Sequence, residues 1–141
     1  MKIIGIDPDL RKSGYAIFDT ELRQFSQVTS LYLWDLFKEI KLQSGFSESI
    51  VYIEHSEKNC VWHGGRNTTS INVGKNKAIS IILIDFCEKN GINYKTVEPS
   101  GYSKLFDNID IFQSQTNWLK KTNKDARAAA AIVFSKKNKL R

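Results

Sequence analysis

The chain has 141 residues, 41% of them hydrophobic and 26% charged, with a formal net charge of +6 from 21 basic and 15 acidic side chains. One domain spanning 1–141 is expected, long enough to bury a core unaided, and the composition excludes a disordered polymer. Two cysteines, Cys60 and Cys87, are too few for a disulfide framework or a four-thiolate zinc site, and no apolar run approaches the roughly 18 residues of a membrane span.

Residues 2–6, Lys-Ile-Ile-Gly-Ile, read as a short buried strand. Pro8 cannot extend a ladder, so Asp7 sits at the carboxyl end of that strand. Gly14 to Phe18 reads as a second strand, reached through the turn-like residues Asp9 to Ser13 as an antiparallel hairpin. Phe25 to Leu33 alternates as a third strand, and Asp35 to Leu42 has helical spacing. Ser49 to Ile53 is a fourth strand, closed by Glu54. Residues 58–69 read as a loop, after which Ser70 caps a helix running to about Lys89 and stopped by Gly91. Asn93 to Val97 is a fifth strand, halted by Pro99. Ser100 to Phe106, Ile111 to Lys120 and Asn123 to Lys136 are predicted helices. Three strands followed by alternating helices and strands imply an α/β fold, a mixed sheet flanked by helices. Trp34 and Trp118 fall in amphipathic stretches and are expected in the core.

The charge is uneven. Lys120 to Arg141 holds eight basic residues and one acid, Asp125, whereas the first 119 residues are nearly neutral. Within that body, Lys58 to Leu83 contains no acid and four cations, Lys58, Arg66, Lys75 and Lys77. Two basic patches on a neutral body favour a polyanionic partner. Trp62 lies among Lys58, His63 and Arg66, beside Gly64-Gly65. An aromatic between cations suits stacking on an unpaired base; a Trp folded back on the core is the alternative.

Three acids stand at element ends. Asp7 and Glu54 each close an apolar strand, and Asp125 opens a helix. If the first and fourth strands are parallel neighbours, their carboxyl ends share one crevice. Carboxylates gathered so closely repel one another without a cation, and hard oxygen ligands suit Mg²⁺ or Mn²⁺. Ala128, Ala129 and Ile132 lie three, four and seven residues after Asp125, so one helix face packs on the sheet and aims Asp125 into the crevice. Arg127 lies elsewhere on that helix and is expected to be free for phosphate. His55 follows Glu54 and should face the opposite side of the sheet.

The opening IIGIDPDLRKSGYAIFD resembles the first motif of RuvC-type Holliday-junction resolvases, members of the RNase H-like superfamily. Asp7 matches the first family carboxylate, and Ser13-Gly14-Tyr15 the hairpin return. VYIEH resembles the strand bearing the family Glu, here Glu54. INVGKNKA resembles the opening of the central helix, VEPSGYSK the segment leading to a DNA-contacting lysine, here Lys104, and NKDARAAAAIV the last motif, with Asp125 as terminal carboxylate. Asp9 replaces a usual glycine, and Thr122 stands where the family often has a further acid or His. The resemblance covers nearly the whole chain in order.

It implies an RNase H-like five-stranded mixed sheet and a metal-dependent endonuclease cutting branched DNA, above all four-way junctions. Asp7, Glu54 and Asp125 would hold two Mg²⁺ ions, or Mn²⁺ in their place, with Lys104 at the scissile phosphate. Lys58, Trp62, Arg66, Lys75, Lys77, Lys124 and Arg127 would bind DNA. The resemblance also implies a homodimer, which suits two symmetric nicks on a two-fold substrate. Two sparse cysteines make a reduced, cytoplasmic setting the expectation. Thr122 and Asp9 keep open an alternative, a non-catalytic branched-DNA-binding protein on the same fold.

Overall fold

The β-branched opening forms the first strand of the sheet, β1 (Lys2–Asp7), in the computed structural model, which describes residues 1–55 and 68–139 and the side chains of all of these except 68–73. Lys58, Cys60, Trp62, His63 and Arg66 lie outside the described residues. Antiparallel to β1 runs β2 (Ser13–Asp19), with Asp7 opposite Gly14, and β3 (Gln24–Leu31) pairs antiparallel with β2. The β2–β3 turn closes on Asp19, whose Oδ1 accepts from the amides of Glu21 and Leu22, while Arg23 takes a left-handed φ of 54°. Helix α1 (Leu33–Phe46) leads to β4 (Ser49–Glu54), which pairs parallel with β1. Helix α2 (Thr68–Lys89) ends at Gly91, φ 64°, and leads to β5 (Tyr94–Val97), parallel to β4. Then come α3 (Tyr102–Phe106), α4 (Ile109–Thr116) and α5 (Lys124–Lys137). The sheet order is β3-β2-β1-β4-β5, the mixed five-stranded arrangement expected.

Strand alternation divides the core in two. Ile3, Ala16, Phe18, Val28, Ile50 and Tyr52 face α5 and the short helices α3 and α4. Ile4, Ile6, Tyr15, Ile17, Val51 and Ile53 face Leu36 and Ile40 of α1 and Ile79, Leu83 and Cys87 of α2. The second face is ordinary helix-on-sheet packing. The first is unusually close. A Cβ on Gly5 would lie 2.5 Å from the Ala129 carbonyl oxygen and 2.7 Å from Val133 Cγ2. The alanine run therefore lets the α5 backbone rest on the middle of β1, as the small residues predicted.

Element ends moved by a few residues, for local reasons. The helix predicted over 111–120 lies at Ile109–Thr116. Asn108 caps it, accepting from the amides of Asp110 and Ile111, and Asn117 ends it in the left-handed region at φ 57°. Trp34 corrects its expectation: it is 75% exposed. Helix α1 buries Leu36 and Ile40, and a residue two positions before Leu36 faces away from that stripe. Trp118 does pack partly against the α5-side core, its indole N–H buried with no partner among the described residues. No described helix is long and apolar enough to cross a membrane.

Candidate active site

The parallel register sets Ile6 beside Ile53, which brings Asp7 and Glu54 alongside each other at the next position. Both continue the rows Ile3-Gly5 and Ile50-Tyr52, so both face α5. Gly14, opposite Asp7 on β2, lies directly under the Asp125 backbone. Asn123 holds the first turn of α5, accepting at Oδ1 from the Ala126 amide at 2.8 Å and donating from Nδ2 to Ser30 Oγ at 2.7 Å. Sheet register, a glycine and a helix cap thus bring Asp7, Glu54 and Asp125 to one end of the sheet.

The electrostatics agree. Asp7 is pushed up to about 8, first by burial and then by the charges of Glu54, Asp125 and Asp9. Burial also raises Glu54, with Glu98 adding to it. Asp125 is raised by burial and by Asp9, while Lys124 pulls it down. The site is therefore a group of five interacting carboxylates. Asp9 enters through its charge, which raises both Asp7 and Asp125. Glu98 was missed by sequence reasoning, although a signal existed: Glu98-Pro99 closes β5 as Asp7-Pro8 closes β1.

Such a donor set, all hard oxygens and self-repelling, fits a divalent cation. Among the described residues no three acids or histidines close round a single metal-sized point. Thr122 is not held in reserve as a ligand, because its Oγ1 and carbonyl both accept from Arg127 Nη1 at 3.2 Å.

Arg127 corrects its expectation. It is buried, and its Nε donates to the Phe106 carbonyl at 2.7 Å. Helix α5 is covered by the sheet on one side and by α3 on another, so the position judged free lies beneath α3. Arg127 ties α3 to α5 rather than meeting phosphate. Arg127→Lys is expected to lower stability by about 2 kcal/mol in chemical denaturation, because a lysine cannot reproduce the fork and leaves buried acceptors unmet.

The remaining predicted cations vary. Lys104 is exposed on α3 and makes no ion pair among the described residues. Lys124 reaches Asp107 at 3.8 Å, an exposed pair. Lys75 is exposed on α2, and Lys77 half-buried. The C-terminal charge is not a loose tail: Lys136 lies over Tyr52, and Lys137 over Phe134 and Phe18. His55 extends the β4–β5 ladder, its amide donating to Val97 at 2.9 Å, and its Nδ1 is buried without a partner among the described residues. A groove of about 780 Å³ at the β5 edge, between α3 and α5, has Glu98 as one wall and is lined by none of Asp7, Glu54 and Asp125.

The sheet order and the packing of α5 across the sheet define an RNase H-like fold of the RuvC type. The solved structure of RuvC from T. thermophilus in complex with a Holliday junction substrate is similar to it, with a TM-score of 0.61 over 99% of this chain and 96% of that one. Identity between the two is 11%, so the likeness lies in the fold. No family model and no curated protein sequence matches the chain.

Proposed function

We propose that the protein is a metal-dependent nuclease that cleaves branched DNA, four-way junctions foremost, by phosphodiester hydrolysis. The observation that carries this is the half-buried carboxylate group at the strand ends, with Asp7 raised to about 8, on a fold of the RuvC type. Half-buried acids that raise one another's pKa are unfavourable as plain structure and point to a functional site. Asp7, Glu54 and Asp125 are the residues that would hold Mg²⁺ or Mn²⁺. Two such ions, when bound, supply charge neutralisation at the phosphate and a lowered pKa for the attacking water. Asp9 and Glu98 deepen the negative field beside them.

The chain's cations do the complementary work. Lys75 and Lys77 on α2, and Lys104 on α3, present charge that draws in a phosphodiester the acids alone would repel. Lys58, Arg66 and Trp62 complete this surface in the reading from sequence. A homodimer would match a two-fold junction with two such sites.

The test is incubation of the protein with synthetic four-way junctions in Mg²⁺, followed on denaturing gels. Paired nicks near the crossover are expected, lost in EDTA and restored by Mn²⁺. The second reading, a branched-DNA-binding protein without catalysis, draws on Thr122, whose hydroxyl is committed to Arg127. Tight junction binding with no nick in either metal would establish it.

A further inference from the structure

The turn that follows Asp7 carries a second feature. Leu10, Arg11 and Lys12 are all exposed there. Lys12 Nζ sits 4.7 Å from the centroid of the Tyr32 ring. Tyr32 follows β3 directly, and Leu31 is paired with Ser13, the residue after Lys12. Tyr32 is 55% exposed and Trp34, two residues on, 75%. Trp34 meets Phe37 edge-on at 5.8 Å and otherwise stands clear of the core.

The register gives this patch its place. Asp7 pairs with Gly14, and Ser13 with Leu31, so the ends of β1, β2 and β3 lie in one row. With neighbouring strands about 4.8 Å apart, Tyr32 stands two strand spacings, roughly 10 Å, from the Asp7 column. Along that edge run aromatic rings, then cations, then carboxylates. Lys121 adds a further cation, lining a cavity with Ser30 at the end of β3. Asp9 and Asp35 are the acids of these segments. Exposed rings interleaved with cations suit the π-face of a base and the phosphate joined to it. A surface richer in cations than acids attracts such a strand and repels a second copy of itself.

We propose that Tyr32 and Lys12, flanked by Trp34 and Arg11, form a stacking platform for an unpaired nucleobase of the DNA strand whose phosphate lies at the carboxylates. This rests on the nuclease reading above and adds to it the direction of that strand, from the carboxylates toward the β3 edge. The alternative is a surface cation–π pair with no ligand.

The experiment measures junction binding in Ca²⁺ by fluorescence anisotropy, using intact four-way junctions and junctions with one abasic nucleotide at successive positions around the crossover. Tyr32→Ala is expected to weaken binding to the intact junction about ten-fold, and Tyr32→Phe to stay within about two-fold of wild type. At one position, removing the base should weaken wild type by the same factor and leave Tyr32→Ala no weaker. A merely structural tyrosine would not show that base-specific saturation, and thermal melts of each variant report on folding. Equal losses for intact and abasic junctions, or no loss at all, would overturn the platform. So would sedimentation showing that Tyr32→Ala and Trp34→Ala separate a dimer while base dependence persists, which would assign the patch to a second copy. A wild type that binds and nicks junctions, with Tyr32→Ala indistinguishable from it, removes the platform alone. A wild type that binds no junction removes the nuclease reading as well.

Discussion

Asp7→Asn is expected to cut four-way junctions at least about a thousand-fold more slowly than wild type, and to be the more stable protein at pH 8 without metal. The first effect follows from the site. Metal-assisted stabilisation of phosphoryl charge is worth several kcal/mol, and each 1.36 kcal/mol is a factor of ten in rate. Asp7 feels the charges of three other acids, Glu54, Asp125 and Asp9. The second effect follows from proton linkage. Asp7 titrates near 8 in the folded chain and about 4 when unfolded, so the folded state holds its proton more tightly. The contribution from this group is complete below about pH 4 and is lost as pH rises through 8.

The melting temperature of metal-free wild type should therefore fall between about pH 4 and pH 8, and Asp7→Asn should flatten that fall. Adding Mg²⁺ at pH 8 should raise the wild-type melting temperature and leave the variant nearly unmoved. At pH 7, where Asp7 is largely protonated, Mg²⁺ binding should also release protons, detectable in buffers of different ionisation heat. Loss of cleavage with a gain of metal-free stability separates a functional carboxylate from a structural one. A variant that cuts as fast as wild type would remove Asp7 from the site.

The sequence exposed most of this because its acids stand where secondary structure changes. Asp7 before Pro8 and Glu54 after an apolar run mark strand ends without any structure. Their meeting needed only the parallel pairing of β1 with β4, a condition that the sequence left open and the register supplies. Asp125 was legible from the alanines behind it. What stayed hidden depended on packing across layers. Arg127 looked free because sequence shows one helix face at a time, and α3 covers the other. Trp34 looked buried because amphipathic spacing does not tell which side of a short helix meets the sheet. Glu98 carried the same acid-proline signature as Asp7, but on a four-residue strand whose neighbour was not evident from sequence. The charge count behaved similarly: the basic C-terminal stretch read as a patch for a polyanion, and sequence did not show that Lys136 and Lys137 are laid over rings of the sheet and of α5 itself.

Gly14→Ala is expected to lower stability by about 3 kcal/mol or more and to remove cleavage with it. The added methyl group would overlap the carbonyl of Asp125 and approach the Ala126 amide at 3.2 Å. These are backbone atoms of a helix, so no side-chain rotation relieves the overlap. Nor can α5 simply lift away. Asn123 pins its first turn to Ser30, and Arg127 holds it to the Phe106 carbonyl. Its middle already rests on Gly5. Any movement that admits the methyl group must displace the turn that carries Asp125, so the folded fraction should also cut poorly. Gly45→Ala supplies the control. It lies inside α1 with nothing within 4 Å of the new Cβ, and should gain up to about 1 kcal/mol from helix propensity without affecting nicking. The two variants add the same atom, and only at Gly14 does it meet the helix that places Asp125. Urea denaturation of both, with junction cleavage measured beside it, distinguishes this from a general intolerance of substitution. A Gly14→Ala protein as stable as wild type and still cutting would mean that α5 is not held against β2, and Asp125 would lose its fixed relation to Asp7.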